Sequence, residues 1–143
     1  MKTFFLFLLL CFGLVSCKKN VTPACQLTIM EVSGNYHLTK VEQVASSTGI
    51  ATDQTSSLTS CEQSGIYNFR SDGTATYTET TGCNGNGAGT WQLTNSNILV
   101  SFLSGNGDRI NDASLSLWNC TNLMLETHYP SALFNNRYTL TKF

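Results

Sequence analysis

CEQSGIYNFRSDGTATYTETTGC, residues Cys61–Cys83, reads as one β-hairpin whose open end is closed by a cystine. Asp72-Gly73 marks the turn, because only a residue that tolerates a left-handed backbone suits the tight reversal between two twisted strands. Tyr67, Phe69, Ala75 and Tyr77 alternate with polar residues on the two arms, so one face of the hairpin is apolar. A three-residue loop, Ser71-Asp72-Gly73, sets Tyr67 opposite Tyr77 and Cys61 opposite Cys83.

Composition extends this reading to the whole chain. Only 12% of the 143 residues are charged, while Thr, Ser, Asn and Gly abound, a balance suited to exposed strand faces and turns. The length predicts a single domain. Eight basic residues less Lys2 leave seven against nine acidic, a formal charge of −2, so neither nucleic acid nor an anionic membrane surface is favoured electrostatically.

The N-terminus has its own logic. Lys2 precedes an apolar run from Phe4 to Val15 that is too short for a permanent transmembrane helix, the pattern of an export signal over residues 1–16. At the end of that run, Leu14-Val15-Ser16-Cys17 resembles the lipobox of bacterial lipoproteins. The resemblance implies removal of residues 1–16, Cys11 included, and lipid attachment at Cys17 through a diacylglycerol thioether and an acylated amino group. Three acyl chains, at ~0.8 kcal/mol per buried methylene, make a durable membrane anchor. Lys18 and Lys19 follow where some lipoproteins carry an aspartate or an acidic run that redirects them. By the same resemblance, the expected location is the periplasmic face of the outer membrane. Residues 17–33 form the lipidated N-terminus and tether, with Cys25–Val32 short and helical or irregular.

From residue 34 to 143 the chain reads as strands separated by turns. Gly34–Val44, Ile66–Arg70, Thr74–Thr80, Thr90–Thr94, Asn97–Leu103, Ala113–Trp118, Leu123–Tyr129 and Arg137–Lys142 are the predicted strands. Ala45–Ser64 is expected as a long polar loop, Gly82–Gly89 as a glycine-rich link, and Asn135-Asn136 as a turn. Leu115 and Leu117, Leu123 and Leu125, and Tyr138 and Leu140 each share a face that wants burial. About eight antiparallel strands with apolar inner faces close best as an up-and-down β-barrel, which removes both open edges.

These segments resemble the lipocalin-like domains of small bacterial lipoproteins. The resembling residues are Gly34-Asn35-Tyr36-His37-Leu38-Thr39, Tyr67-Asn68-Phe69 before Asp72-Gly73-Thr74, Gly89-Thr90-Trp91-Gln92-Leu93, and Tyr138-Thr139-Leu140. The best-known lipocalins carry Gly-x-Trp on the first strand and a basic residue of the last strand across that tryptophan. Here the aromatic is Tyr36, and Arg137 is the expected cation by position. The resemblance also implies a lid at the barrel mouth, the place of Ala45–Ser64.

Four cysteines remain beyond Cys17. In an exported chain they imply two disulfides, and the hairpin register favours Cys61–Cys83, leaving Cys25–Cys120. No Cys-x-x-Cys pair occurs, which disfavours zinc and catalytic redox chemistry. The glycine-rich segment from Gly82 precedes a strand instead of a helix, so it lacks the helix N-terminus of a phosphate cradle. His37 and His128 fall on polar faces, with Glu126 beside His128. Neither Gly-x-Ser-x-Gly nor Ser-x-x-Lys occurs. No cofactor and no catalytic residue is therefore expected. The aromatic set Tyr36, Tyr67, Phe69, Tyr77, Trp91 and Phe102 lines the expected interior with Leu93, Leu115, Leu117, Leu125 and Leu140. The leading expectation is non-enzymatic binding of a small apolar or amphipathic ligand by those aromatics. The alternative is a filled barrel that serves an envelope protein partner as an inhibitor or accessory subunit, through the long loop.

Overall fold

Gly73 adopts a left-handed backbone at φ +87°, and the hairpin closes around it. The structure is a computed structural model that describes residues 25–94, 97–103, 110, 112–128 and 131–143, the side chains of Phe102 and Leu103 excepted. Gly73 N donates to the Arg70 carbonyl at 3.0 Å and Arg70 N to the Thr74 carbonyl at 2.9 Å, the bonds of a three-residue loop. The Asp72 carboxylate accepts from the Thr74 hydroxyl and backbone N, and these bonds hold its pKa below the ordinary aspartate value. Strands β3 (Ile66–Phe69) and β4 (Thr74–Thr78) then pair in the expected register, Tyr67 opposite Tyr77 and Phe69 opposite Ala75.

Around this hairpin the chain winds in sequence order. β1 (Gly34–Ala45) pairs with β3, followed by β4, β5 (Asn86–Thr94), β6 (Asn97–Leu103), β7 (Ala113–Trp118), β8 (Asn122–Thr127) and β9 (Phe134–Lys142). β9 returns to pair with β1 from Tyr36–Lys142 to Ala45–Phe134, so the eight strands form a closed antiparallel barrel. The ninth strand, β2 (Ala51–Asp53), lies beside the far half of β1, where β3 is too short to reach.

The closed end carries the 71–73 turn, the start of β1, the end of β9 and the helix α1 (Ile29–Val32), capped by the Thr28 hydroxyl. Its Val32 is fully buried against the core. Cys25–Cys120, with Cα atoms 5.5 Å apart, ties the incoming chain to the β7–β8 turn. Asn119 organises that turn, its side-chain oxygen accepting from Thr121 N and Asn122 N. Cys61–Cys83, Cα atoms 5.8 Å apart, ties the opposite end together.

Several expectations change. Cys61 does not extend a hairpin arm; it sits on α2 (Ser60–Ser64), and the cystine joins that helix to the β4–β5 loop. Ala45–Ser64 is not a shapeless loop, for it holds β2, a 3-10 turn over Thr55–Ser57 and α2, with Leu58 buried in the core. Thr59 and Glu62 form a reciprocal capping box that starts α2. β5 begins at Asn86, inside the glycine-rich link, since strand pairing on both sides outweighs glycine's weak strand preference. Asn135 and Asn136 lie within β9 rather than in a turn. Leu117 faces outward, 48% exposed, because a bulge between Leu115 and Leu117 inserts Ser116 and reverses the alternation. The Cys17 lipobox and Cys11 lie outside the described residues.

Candidate functional site

The expected aromatic lining forms the floor of the barrel. Tyr36, Tyr67, Phe69, Tyr77 and Trp91 are each at most 4% exposed and belong to one packed cluster. Phe69 meets Tyr36 and Trp91 edge to face, with ring centroids 5.5 and 5.9 Å apart, and Tyr67 lies 4.5 Å from Tyr77. Three of the polar handles are satisfied within the chain: Trp91 Nε1 donates to the Arg70 carbonyl, the Tyr36 hydroxyl to the Val32 carbonyl, and the Tyr77 hydroxyl to Glu79. Gly65 lets Tyr77 in, since a Cβ there would lie 2.4 Å from its ring. Phe102 lies opposite Gly89 on β6, and its side chain is outside the described residues.

Arg137 is not the cation at Tyr36. It faces outward and grips Glu126 Oε2 with Nε and Nη2, at 3.0 and 2.9 Å. Lys142, five positions further along β9, lies opposite Tyr36 with Nζ 6.0 Å from its ring centroid, and donates to the Glu31 carbonyl. Strand parity decides this, for 137 and 142 fall on opposite faces and Lys142 reaches the barrel end from its edge.

Burial pushes the Tyr36 hydroxyl well above the ordinary tyrosine pKa. A raised pKa means that the fold holds the proton more tightly than the unfolded chain does, so this contribution is complete below the ordinary value of about 10 and is lost as pH rises beyond it. Denaturant midpoints should fall on alkaline titration above about pH 10. The decline should be shallower in Tyr36→Phe, and equal slopes would show that Tyr36 is not the linked group.

The inner face changes character toward the open end. On β9 the positions 134, 136, 138 and 140 share one face, and Tyr138 and Leu140 are buried in the core, so that face is the inner one. Asn136 therefore stands one step above Tyr138, between Gln43 of β1 and Thr127 of β8. Phe134 stands a further step toward the mouth, opposite Ala45 and 47% exposed. Ile50 and Leu133, both exposed, belong to the adjoining segments, which are tied by Ala45 N to the Ile50 carbonyl and Ser46 N to the Leu133 carbonyl. The mouth thus offers an aromatic face and apolar lip above uncharged amide and hydroxyl groups. Sequence reasoning missed these residues because Asn135-Asn136 resembles a turn; extending the Tyr138–Leu140 alternation backward would have found them.

Three further clusters complete the picture. A cleft of about 300 Å³ beside the β6–β7 pairing is lined by Leu99, Asp112, Ser114 and His128 among others. Ser101 Oγ donates there to Asp112 Oδ1, while His128 Nδ1 lies 3.3 Å from Asn135 Nδ2. His37 stacks on Phe143 and sets Nδ1 3.0 Å from the Gly65 carbonyl. At the open rim the Glu79 carboxylate lies beside the Cys61–Cys83 cystine.

Compared with known proteins, residues 32–117, more than half of the chain, match the family model described as a lipocalin-like domain. No curated protein and no solved structure matches the chain.

Proposed function

Because the chain belongs to the lipocalin-like domain family, we propose that it binds a small apolar or amphipathic molecule at the open end of its barrel, without catalysing a reaction. The observation that supports this reading is Phe134, a half-exposed aromatic on the inner face of β9, set above Asn136 and Gln43. Hydrocarbon would lie against Phe134 and the apolar lip, and a polar head would meet the amides. In this reading Tyr36, Tyr67, Phe69, Tyr77 and Trp91 form the floor beneath the ligand, and the ligand touches those nearest the mouth.

The proposal includes the anchor. Cys17 carries the lipid and holds the protein on the periplasmic face of the outer membrane. Cys25, joined to Cys120 in the β7–β8 turn, lies at the end of the barrel opposite the mouth.

Native mass spectrometry of membrane-extracted protein tests both parts. The expected mass is the polypeptide from Cys17 plus three acyl chains and glycerol, with a further discrete shift when fatty acids or other amphiphiles are added. Phe134→Ala should weaken that binding about 5–10-fold, since covering a half-exposed aromatic contributes roughly 1–1.5 kcal/mol. No added mass with any amphiphile would overturn the ligand reading, and an unmodified Cys17 would overturn the anchor. The packed floor favours a second reading, an envelope protein docked on the rim. Crosslinking to one dominant partner, lost on deleting Ser46–Ser57, would support it.

A further inference from the structure

We propose that Cys61, Cys83 and Glu79 form a zinc site when the Cys61–Cys83 disulfide is reduced, independently of any ligand in the barrel. The two sulfurs and a carboxylate oxygen of Glu79 all lie within 4.8 Å of one another, and all three residues are half-buried. In tetrahedral zinc coordination, ligand atoms at about 2.0–2.3 Å from the metal stand roughly 3.3–3.8 Å apart. With their Cα atoms 5.8 Å apart, breaking the sulfur–sulfur bond frees the two side chains to rotate apart toward that arrangement. Two thiolates and one carboxylate leave the fourth position to water.

Glu79 is held for this role by its neighbours. Its Oε1 accepts from the Tyr77 hydroxyl and its Oε2 from Gly85 N, each at 2.8 Å. Tyr77 is itself buried and closely packed against Gly65, so the carboxylate is oriented by a rigid group. Hydrogen bonds of this kind fix a ligand's direction and raise its affinity for a metal. Glycine at position 85 also makes room for the carboxylate, since a Cβ there would stand 2.4 Å from it. Among the described residues no comparable set surrounds Cys25–Cys120, which serves as the internal contrast.

The chemistry balances with a small dithiol as reductant. Its thiolate attacks one cystine sulfur to give a mixed disulfide, and its second thiol displaces the other bond. The reductant leaves as a cyclic disulfide, and the two electrons and two protons remain as the Cys61 and Cys83 thiols. Zinc then displaces both thiol protons. Zinc and the disulfide therefore compete for the same two sulfurs. The missing Cys-x-x-Cys spacing hid the site from sequence reasoning, because Glu79 and Cys83 come from one loop while Cys61 is brought by α2.

Zinc titration of the purified full-length protein against a chromophoric chelator tests this, before and after dithiol reduction and removal of the reductant under anaerobic conditions. One zinc equivalent should appear only in the reduced protein and be missing from Cys61→Ser/Cys83→Ser, which reports any zinc held by other cysteines. Glu79→Gln should weaken binding at least about 10-fold. Zinc should also slow reformation of the Cys61–Cys83 disulfide in the parent protein, and far less in Glu79→Gln. Unchanged affinity in Glu79→Gln, as for thiols on an unfolded chain, would overturn the proposal, as would equal stoichiometry in the double-serine variant or no zinc uptake on reduction.

Discussion

Replacing Trp91 with alanine is expected to lower unfolding stability by about 3–5 kcal/mol, a large part of what a domain of this size has. Trp91 is 4% exposed, meets Phe69 edge to face, and lies over the hairpin turn. Three separate contributions are lost together. Removing the indole withdraws a large apolar surface and leaves a cavity. It also strips the Arg70 carbonyl of its 2.7 Å hydrogen bond from Nε1, and it uncouples the packing that supports Trp91 N against the Gly73 carbonyl at 2.8 Å. Trp91→Phe separates the terms, because it retains most of the apolar surface and loses the Nε1 donor. Its expected cost is about 0.5–1.5 kcal/mol for the lost hydrogen bond, since the Arg70 carbonyl still accepts from Gly73 N, plus a smaller void. Equilibrium denaturation of the three proteins measures both. A loss below 1 kcal/mol in Trp91→Ala would mean that the floor is loosely packed and that the barrel end can collapse around the gap.

Breaking Cys25–Cys120 should destabilise the protein more than breaking Cys61–Cys83. The first closes a sequence separation of 95 residues and the second one of 22. The loop entropy removed from the unfolded chain is worth about 4–5 kcal/mol for the longer loop and about 3–3.5 kcal/mol for the shorter. The longer bridge also holds Gln26, whose carbonyl accepts from Trp118 Nε1, and it feeds the chain into α1, which supplies Val32 to the core. Serine pairs at each site, compared by denaturant midpoint, give the order directly. The reverse order would show that α2 is a greater part of the folded unit than the N-terminal segment, with chain entropy secondary.

The legible parts of this protein are those governed by local rules. Asp72-Gly73 and the alternation of Tyr67, Phe69, Ala75 and Tyr77 specify the hairpin because turn chemistry and strand parity act over a few residues. The strands Asn97–Leu103 and Ala113–Trp118 were readable end to end for the same reason. α2 was not read, although Thr59 and Glu62 carry the spacing of a capping box, because the surrounding Ser/Thr-rich run masks it.

Leu117 was not readable, since a bulge depends on how β7 must bend against β8. Nor was the exchange of Arg137 for Lys142 at Tyr36, which depends on the register with which β9 closes against β1. The mouth follows from the same closure, because Gln43, Asn136 and Thr127 meet only when β1, β9 and β8 lie side by side. The sequence by itself determined the strand class and the hairpin register, both consequences of alternation and turn residues, and it favoured the cystine partners on a hairpin arm that Cys61 does not in fact extend. Only the tertiary structure decided which polar groups share a site, including Glu79 beside its cystine. Those meetings span separate elements, and the packing of a closed barrel sets them where no local pattern reaches.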